Sequence, residues 1–388
     1  MVMRSPAGFI SAFFDPLKNP DAPTIGTATG GEATAEVTFT APSNVGGSAI
    51  TAYYVVSNPS QITTSGASSP ITATGLTNGT AYTFNVWALN SYGSGVWSAA
   101  SNSVTPLANP DRGLISGGRY NSGFAATSVI SYLTISSTGN TTAFGNLTRT
   151  RNYSASCSSK TRAIIGANAS TTDYVTIATT GNAVAFGAPF ESTEGAMGCG
   201  NSTRGLYGGG GTYSPINTIQ YCTIATTGSW ADFGDLASAT SLGGGASSPT
   251  RALIIGGVIG GMSNLIQYVT IATTGNSTNF GELTVGGRYE SSACSNATYA
   301  IMWNSPDADI ITIATTGNSA VWGSTSGFYL SHNAACSNAT RALSCGGYTG
   351  TAIGYQLFAS KSISVSFGTL VADTLDMSGC SSVHGGLQ

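Results

Sequence analysis

Ile266-Gln267-Tyr268-Val269-Thr270-Ile271-Ala272, followed by Thr273-Thr274-Gly275-Asn276 and then Phe280-Gly281-Glu282-Leu283, is the clearest copy of a phrase that recurs through most of the chain. Its β-branched and aromatic residues read as two strands joined by a turn. The turn glycine stands at 139, 181, 228, 275 and 317, recurring every 42 or 47 residues, and a degenerate sixth copy runs from Tyr355 to Leu370. A period of that length signals a propeller or a solenoid. Each unit opens with a small-residue strand such as Ala293-Cys294-Ser295 and continues with one such as Arg251-Ala252-Leu253-Ile254-Ile255, closed by Gly256-Gly257. Four strands in about 46 residues match a propeller blade.

The expected fold class is therefore all-β, with a six-bladed propeller over residues 107–388. Arg112 to Gly118 is a second strand lacking a first, whereas Gly379-Cys380-Ser381-Ser382 is a first strand lacking a second. Pairing the two closes the ring and removes its open edge. The glycine pair, the tyrosine of the third strand and the aromatic of the fourth (Phe144, Phe186, Phe233, Phe280, Trp322 and Phe367) resemble a diverged kelch repeat. Trp303-Asn304 replaces the glycine pair in one unit, so the resemblance implies the fold without any kelch partner.

Residues 20–106 read differently. Tyr82, Phe84, Val86 and Ala88 alternate on one face of a strand, and turn signals punctuate several more strands. Pro20, Pro23, Phe39, the run from Gly75 to Tyr82 and Ala88-Leu89-Asn90-Ser91-Tyr92-Gly93 resemble a fibronectin type III domain. The Leu76 to Tyr82 spacing is similar to its tyrosine corner. That resemblance implies a β-sandwich and says nothing of function. Ahead of it, residues 1–19 form an arm whose Phe9, Ile10, Phe13 and Phe14 are too few to make a core, which points to burial on a partner.

Only 7% of the 388 residues are charged, with 13 basic and 16 acidic side chains. That balance argues against nucleic acid as a partner, because phosphate binding needs a dense basic surface. No apolar run is long enough to span a membrane, and the first residues make a poor signal peptide. Seven cysteines without a Cys-x-x-Cys pair indicate free thiols. Two histidines, His332 and His384, without ligand spacing, suggest neither a His-based catalyst nor a metal centre, and no cofactor is expected.

Two side-chain registers recur. Cys157, Cys199, Cys294, Cys336 and Cys380 share one, with Ala246 in the remaining unit. The alternatives are a thiol ring for a soft metal or small residues packed where inner strands crowd, and the alanine favours packing. Arg112, Arg162, Arg204, Arg251 and Arg341 share the other, broken by Tyr299. They form an anion-binding crown, or else pin carbonyls between blades or pair with acids such as Asp235 or Glu282; the five donors of a guanidinium favour cross-linking.

Two connections per unit are monotonous, and two vary: 119–129, 211–218 and 258–265 after the glycine pairs, and 188–198, 284–292 and 324–335 after the aromatic strands. Alternating strand direction puts both variable sets on one face, where Phe190, Tyr213, Tyr289, Phe328 and Tyr329 are the candidate binding residues. Taken together, low charge, Thr/Ser/Gly-rich strands and the union of the two domain types resemble virion proteins of tailed bacteriophages. The resemblance implies a non-enzymatic tail fibre, adhesin or capsid decoration. In it the arm meets other virion proteins, the propeller meets a host glycan or protein, and a homo-oligomer in the particle is among the allowed arrangements. The alternatives are a bacterial surface adhesin or an extracellular glycan-active enzyme. The enzyme needs paired carboxylates on the variable face, where Glu191, Glu194 and Glu290 show no such pattern.

Overall fold

The computed structural model describes residues 17–31, 33–106, 111–166, 170–284, 290–304, 306–325, 332–348, 350–361 and 363–387. The chain divides into two compact units, residues 1–109 and 110–388. Among the described residues all regular structure is strand, apart from one 3-10 turn at Gly385–Leu387.

In the first unit, Thr24–Gly30, Thr34–Thr40 and Ile71–Thr74 make one antiparallel sheet. Thr63–Gly66, Ala52–Asn58, Thr83–Asn90 and Gly93–Ser94 make the other. The two-residue period of the Thr83–Asn90 strand drives Phe84, Val86 and Ala88 into a core with Val37, Val55, Ile71 and Leu76. Tyr82 is buried beside them, and its hydroxyl accepts a hydrogen bond from the Thr77 N–H at 3.1 Å, which ties the strand entry to the preceding turn. Lys18 and Asn19, read from sequence as part of the arm, lie on this sandwich: the Asn90 amide donates to the Lys18 carbonyl at 2.9 Å.

The second unit is a ring of six four-stranded antiparallel sheets. The innermost strands of blades 2 to 6 are Ala155–Ser158, Met197–Gly200, Gly244–Ser247, Ala293–Ser295 and Ala334–Ser337. Blade 1 takes its innermost strand, Ser378–Ser381, from the far end of the chain, paired with Arg112–Ser116. Each innermost strand neighbours the next, and the cycle closes between Ser378–Ser381 and Ala155–Ser158.

The repeated residues are spent on joining blades. In five blades the turn glycine N–H donates to the carbonyl of the fourth-strand Phe of the neighbouring blade, as Gly228 does to Phe186 at 3.0 Å and Gly275 to Phe233 at 2.8 Å. The glycine after that Phe is required, because a Cβ on Gly187 would lie 1.9 Å from the Gly228 carbonyl oxygen. The arginine register resolves as the carbonyl cross-link. Arg204 Nη1 donates to Ile271 O and Ala272 O, both at 2.8 Å, while its guanidinium stacks on Tyr221; Arg112, Arg162 and Arg251 repeat the pattern. A buried polar side chain on the third strand does similar work: Gln220 accepts from the Phe190 N–H at 2.7 Å and Asp173 from the Thr148 N–H at 2.9 Å.

The cysteines all sit buried as thiols. Burial pushes Cys199 and Cys380 up to about 12 and raises Cys157 and Cys294; a hydrogen bond with Cys345, then burial, raises Cys336. Protonated thiols packed between blades are what small inner residues supply.

One face of the ring is uniform. The connections from first to second strand have three residues in blades 2 to 6, and those from third to fourth have seven in every blade. Latching explains the constancy, since a turn that must reach the neighbouring Phe-Gly cannot change length. Unequal connections fall on the opposite face, for example 117–126 and 209–217 after second strands.

Candidate functional site

On the face of unequal connections, one residue per blade sits four places before the cysteine register: Tyr153, Gly195, Leu242, Glu290, His332 and Asp376. All six have positive φ, between 49° and 70°, although only Gly195 is a glycine. Their backbones form a cyclic chain of hydrogen bonds. Tyr153 N–H donates to Asp376 O, Gly195 to Tyr153, Leu242 to Gly195, Glu290 to Leu242, His332 to Glu290 and Asp376 to His332, at 2.8 to 3.1 Å. This hoop holds five non-glycine residues in a conformation that costs about 1 kcal/mol or more each. The positive φ turns the chain from a variable connection into the innermost strand.

The hoop surrounds the mouth of an axial cavity of about 110 Å³. Its side chains are unevenly shared: Gly195 and Leu242 leave one side apolar, while Glu290, His332, Asp376 and Tyr153 make the other polar. His332 is held at both ring nitrogens, Nε2 by a Glu290 carboxylate oxygen and Nδ1 by Asp376 Oδ1. Arg119, from the connection after the first glycine pair, pairs through Nε with Asp376 Oδ2 and donates through Nη2 to the Tyr153 hydroxyl at 2.9 Å. The Asp376 carboxylate is fully buried, and Glu290 and His332 are 14% and 16% exposed. Burial alone would lower the proton affinity of His332, but hydrogen bonds to Asp376 and Glu290, reinforced by their charges, carry its pKa up to about 9. Burial and the nearby carboxylates push the Tyr153 phenol well above its usual value, against the opposing pull of Arg119. The cluster is thus two carboxylates balanced by an imidazolium and a guanidinium.

Aromatic rings flank it. Phe124 lies under the Arg119 guanidinium at 5.0 Å and is 53% exposed; Tyr348 lies 6.0 Å from the His332 ring and is 55% exposed. Of the binding residues read from sequence, Phe190 and Tyr213 are exposed on the same face, at 54% and 98%. Tyr289, Phe328 and Tyr329 lie outside the described residues, as do Phe9, Ile10, Phe13 and Phe14 of the arm. The Glu191 carboxylate accepts from the Thr218 hydroxyl at 2.7 Å, and Glu290 belongs to the hoop.

At the other end the axis is closed by the segment after the last strand. Ser158, Ser247, Ser295, Ser337 and Ser381 each donate a hydroxyl to a backbone carbonyl of the neighbouring blade, at 2.6 to 2.8 Å. Gly200 has no hydroxyl at that register, and Gly386 packs there, so close that a Cβ would meet the Gly200 oxygen at 1.9 Å. His384 Nε2 lies 3.0 Å from the Ser158 carbonyl, and its Nδ1 accepts from the Gly386 N–H at 3.1 Å. That pair of contacts fixes a neutral imidazole, and burial pushes its pKa down to about 4.

The comparisons bear on the first unit. Residues 21–104 match the fibronectin type III domain. The sheets, the core strand and the tyrosine corner described above are therefore those of a fibronectin type III module, a fold that serves as spacer and as binding platform. A search of the curated proteins gives no match to the chain.

Proposed function

We propose that the protein is a non-enzymatic structural and binding component of a tailed-phage particle, a tail fibre, adhesin or capsid decoration. The arm and fibronectin type III module attach it, and the propeller displays a recognition face. The observation that carries the display role is the division of labour between faces. The uniform face is consumed by latches between blades, whereas the opposite face combines unequal connections with a charged axial mouth and the exposed rings of Phe124, Tyr348, Phe190 and Tyr213. A rigid scaffold with variable loops on one side is a general way to present a binding surface. Low charge, the Thr/Ser/Gly-rich strands and the pairing of a fibronectin type III module with kelch-like repeats support the particle setting.

The glycan-active alternative needs two carboxylates facing each other across space for a sugar and a water. Glu290 and Asp376 instead both bond to His332, and Asp376 also pairs with Arg119. One experiment separates the readings: incubate the chain with candidate host cells and their surface polysaccharide, and measure both retention and new reducing ends. Retention that falls at least tenfold in Phe124→Ala and Tyr348→Ala, without new reducing ends, supports display. Release of reducing ends by the parent chain overturns it, as does unchanged retention in both variants. Normal incorporation into particles after removal of residues 1–19 would overturn attachment through the arm.

A further inference from the structure

We propose that the axial mouth is a site for one divalent transition-metal cation, bound by the Glu290 carboxylate and His332 Nε2, with Asp376 as the carboxylate that orients the imidazole. The proposal does not depend on the particle role.

Three consecutive hoop members bring these side chains together from three successive connections, and their ligating atoms all lie within 4.8 Å of one another. Around an ion with bonds of about 2.0–2.2 Å, ligand atoms stand roughly 3–4 Å apart. Admitting the ion requires the Glu290 carboxylate, which bonds directly to His332 Nε2, to turn aside from the ring. A ligating histidine ordinarily gives its second ring N–H to a carboxylate, which fixes the tautomer and the ring plane. Asp376 already holds Nδ1 in that way, from a fully buried position, and is itself restrained from behind by Arg119, which is tied to Tyr153. The metal-facing pair, Nε2 and Glu290, lies on the more exposed side.

A second observation comes from the cavity wall. Asn333, 5% exposed, lines the cavity and leaves its Oδ1 without a protein hydrogen bond, and the Ser292 hydroxyl on the same wall is likewise unpartnered. Buried oxygens in a polar cavity of this size call for ordered water, and water fills the positions that two protein ligands leave open. Mixed imidazole and carboxylate donors favour copper, zinc, manganese or iron over the all-oxygen cations.

The test uses tag-free full chain and Cu²⁺, the strongest-binding ion of the series, with titration calorimetry for stoichiometry and pulsed electron paramagnetic resonance for ligand nitrogen. We expect one saturable site with the modulation of a single imidazole. His384, the other histidine of the chain, is half-buried with both nitrogens engaged, so the signal belongs to His332. His332→Ala should abolish the signal, and Glu290→Gln should weaken binding at least tenfold. Asp376→Asn should weaken it about 10–100-fold while keeping the imidazole signature, as expected of a positioning residue. A parent chain without saturable binding or without imidazole modulation overturns the proposal, and that result needs no variant to fold. A signal that persists in His332→Ala, with the near-ultraviolet circular dichroism unchanged, overturns it equally.

Discussion

Gly187 and Gly228 face each other across the junction between two blades, and replacing each by alanine should give opposite results. The Gly228 N–H donates to Phe186 O at 3.0 Å and the Trp230 N–H to Ala188 O at 2.9 Å, so the turn is bonded on both sides of Gly187. A Cβ on Gly187 would lie 1.9 Å from Gly228 O and 2.4 Å from its carbonyl carbon, both backbone atoms that no rotamer change can move. The turn must withdraw by more than 1 Å, losing two hydrogen bonds worth about 1 kcal/mol each, and overpacking adds ~1–3 kcal/mol. Alanine returns about 0.4–1 kcal/mol by restricting the unfolded chain. The net loss for Gly187→Ala is about 3 kcal/mol, or roughly 5–10 °C in the propeller transition.

Gly228 shows nothing within 4 Å of its own Cβ position and has no left-handed φ, so Gly228→Ala keeps the latch and gains the unfolded-state term. Thermal unfolding of the full chain, followed by near-ultraviolet circular dichroism, reads the junction through Trp230, which is buried and stacked on Tyr207 at 4.1 Å. A Gly187→Ala chain melting within 1 °C of the parent refutes the latch, and so does a Gly228→Ala chain that loses as much as Gly187→Ala.

Four further outcomes follow from the same contacts. Only the unfolded chain protonates His384 between pH 6.5 and 4, so its contribution is complete above pH 6.5 and is lost as pH falls to about 4. The span corresponds to about 3 kcal/mol, and His384→Asn should flatten that limb of the stability–pH curve; a limb of unchanged slope counts against a buried neutral imidazole. Tyr82→Phe removes the acceptor for the Thr77 N–H and should cost the fibronectin type III module about 1–2 kcal/mol in urea unfolding, leaving the propeller transition in place. Arg204→Lys keeps the charge but loses the planar group that stacks on Tyr221 and bonds two carbonyls, and should lower propeller stability by about 1–2 kcal/mol in the same assay. Removal of residues 377–388 takes away the innermost strand of blade 1 and exposes the edge of Arg112–Ser116; loss of a cooperative propeller melt is expected, and an unchanged melting temperature would contradict the observed closure.

The ring was legible from sequence because most junctions reuse the same residues. A latch that joins Phe-Gly of one blade to the turn glycine of a neighbour recurs at five junctions, so the period in the sequence is the period of the contacts. The sandwich core was legible for a related reason, since alternation along Thr83–Asn90 is burial written residue by residue. The mouth was not legible, because its chemistry lies in the residues that fail to repeat. Glu290, His332 and Asp376 occupy one hoop position that elsewhere holds Tyr153, Gly195 and Leu242, and side-chain type carries no period there. Histidine spacing gave no hint either, because the partners of His332 come from other blades, 42 and 44 residues away. A usable signal did exist in the cysteine register. Counting back four residues from Cys157, Cys199, Ala246, Cys294, Cys336 and Cys380 lands on the six hoop residues. In a closed ring, one register at the entry of the innermost strand must converge on the axis, so two acids and a histidine in adjacent copies of that register are neighbours in space whatever their distance in sequence. Repeat periodicity therefore locates the position of such a site, and the departures from the repeat at that position supply its chemistry.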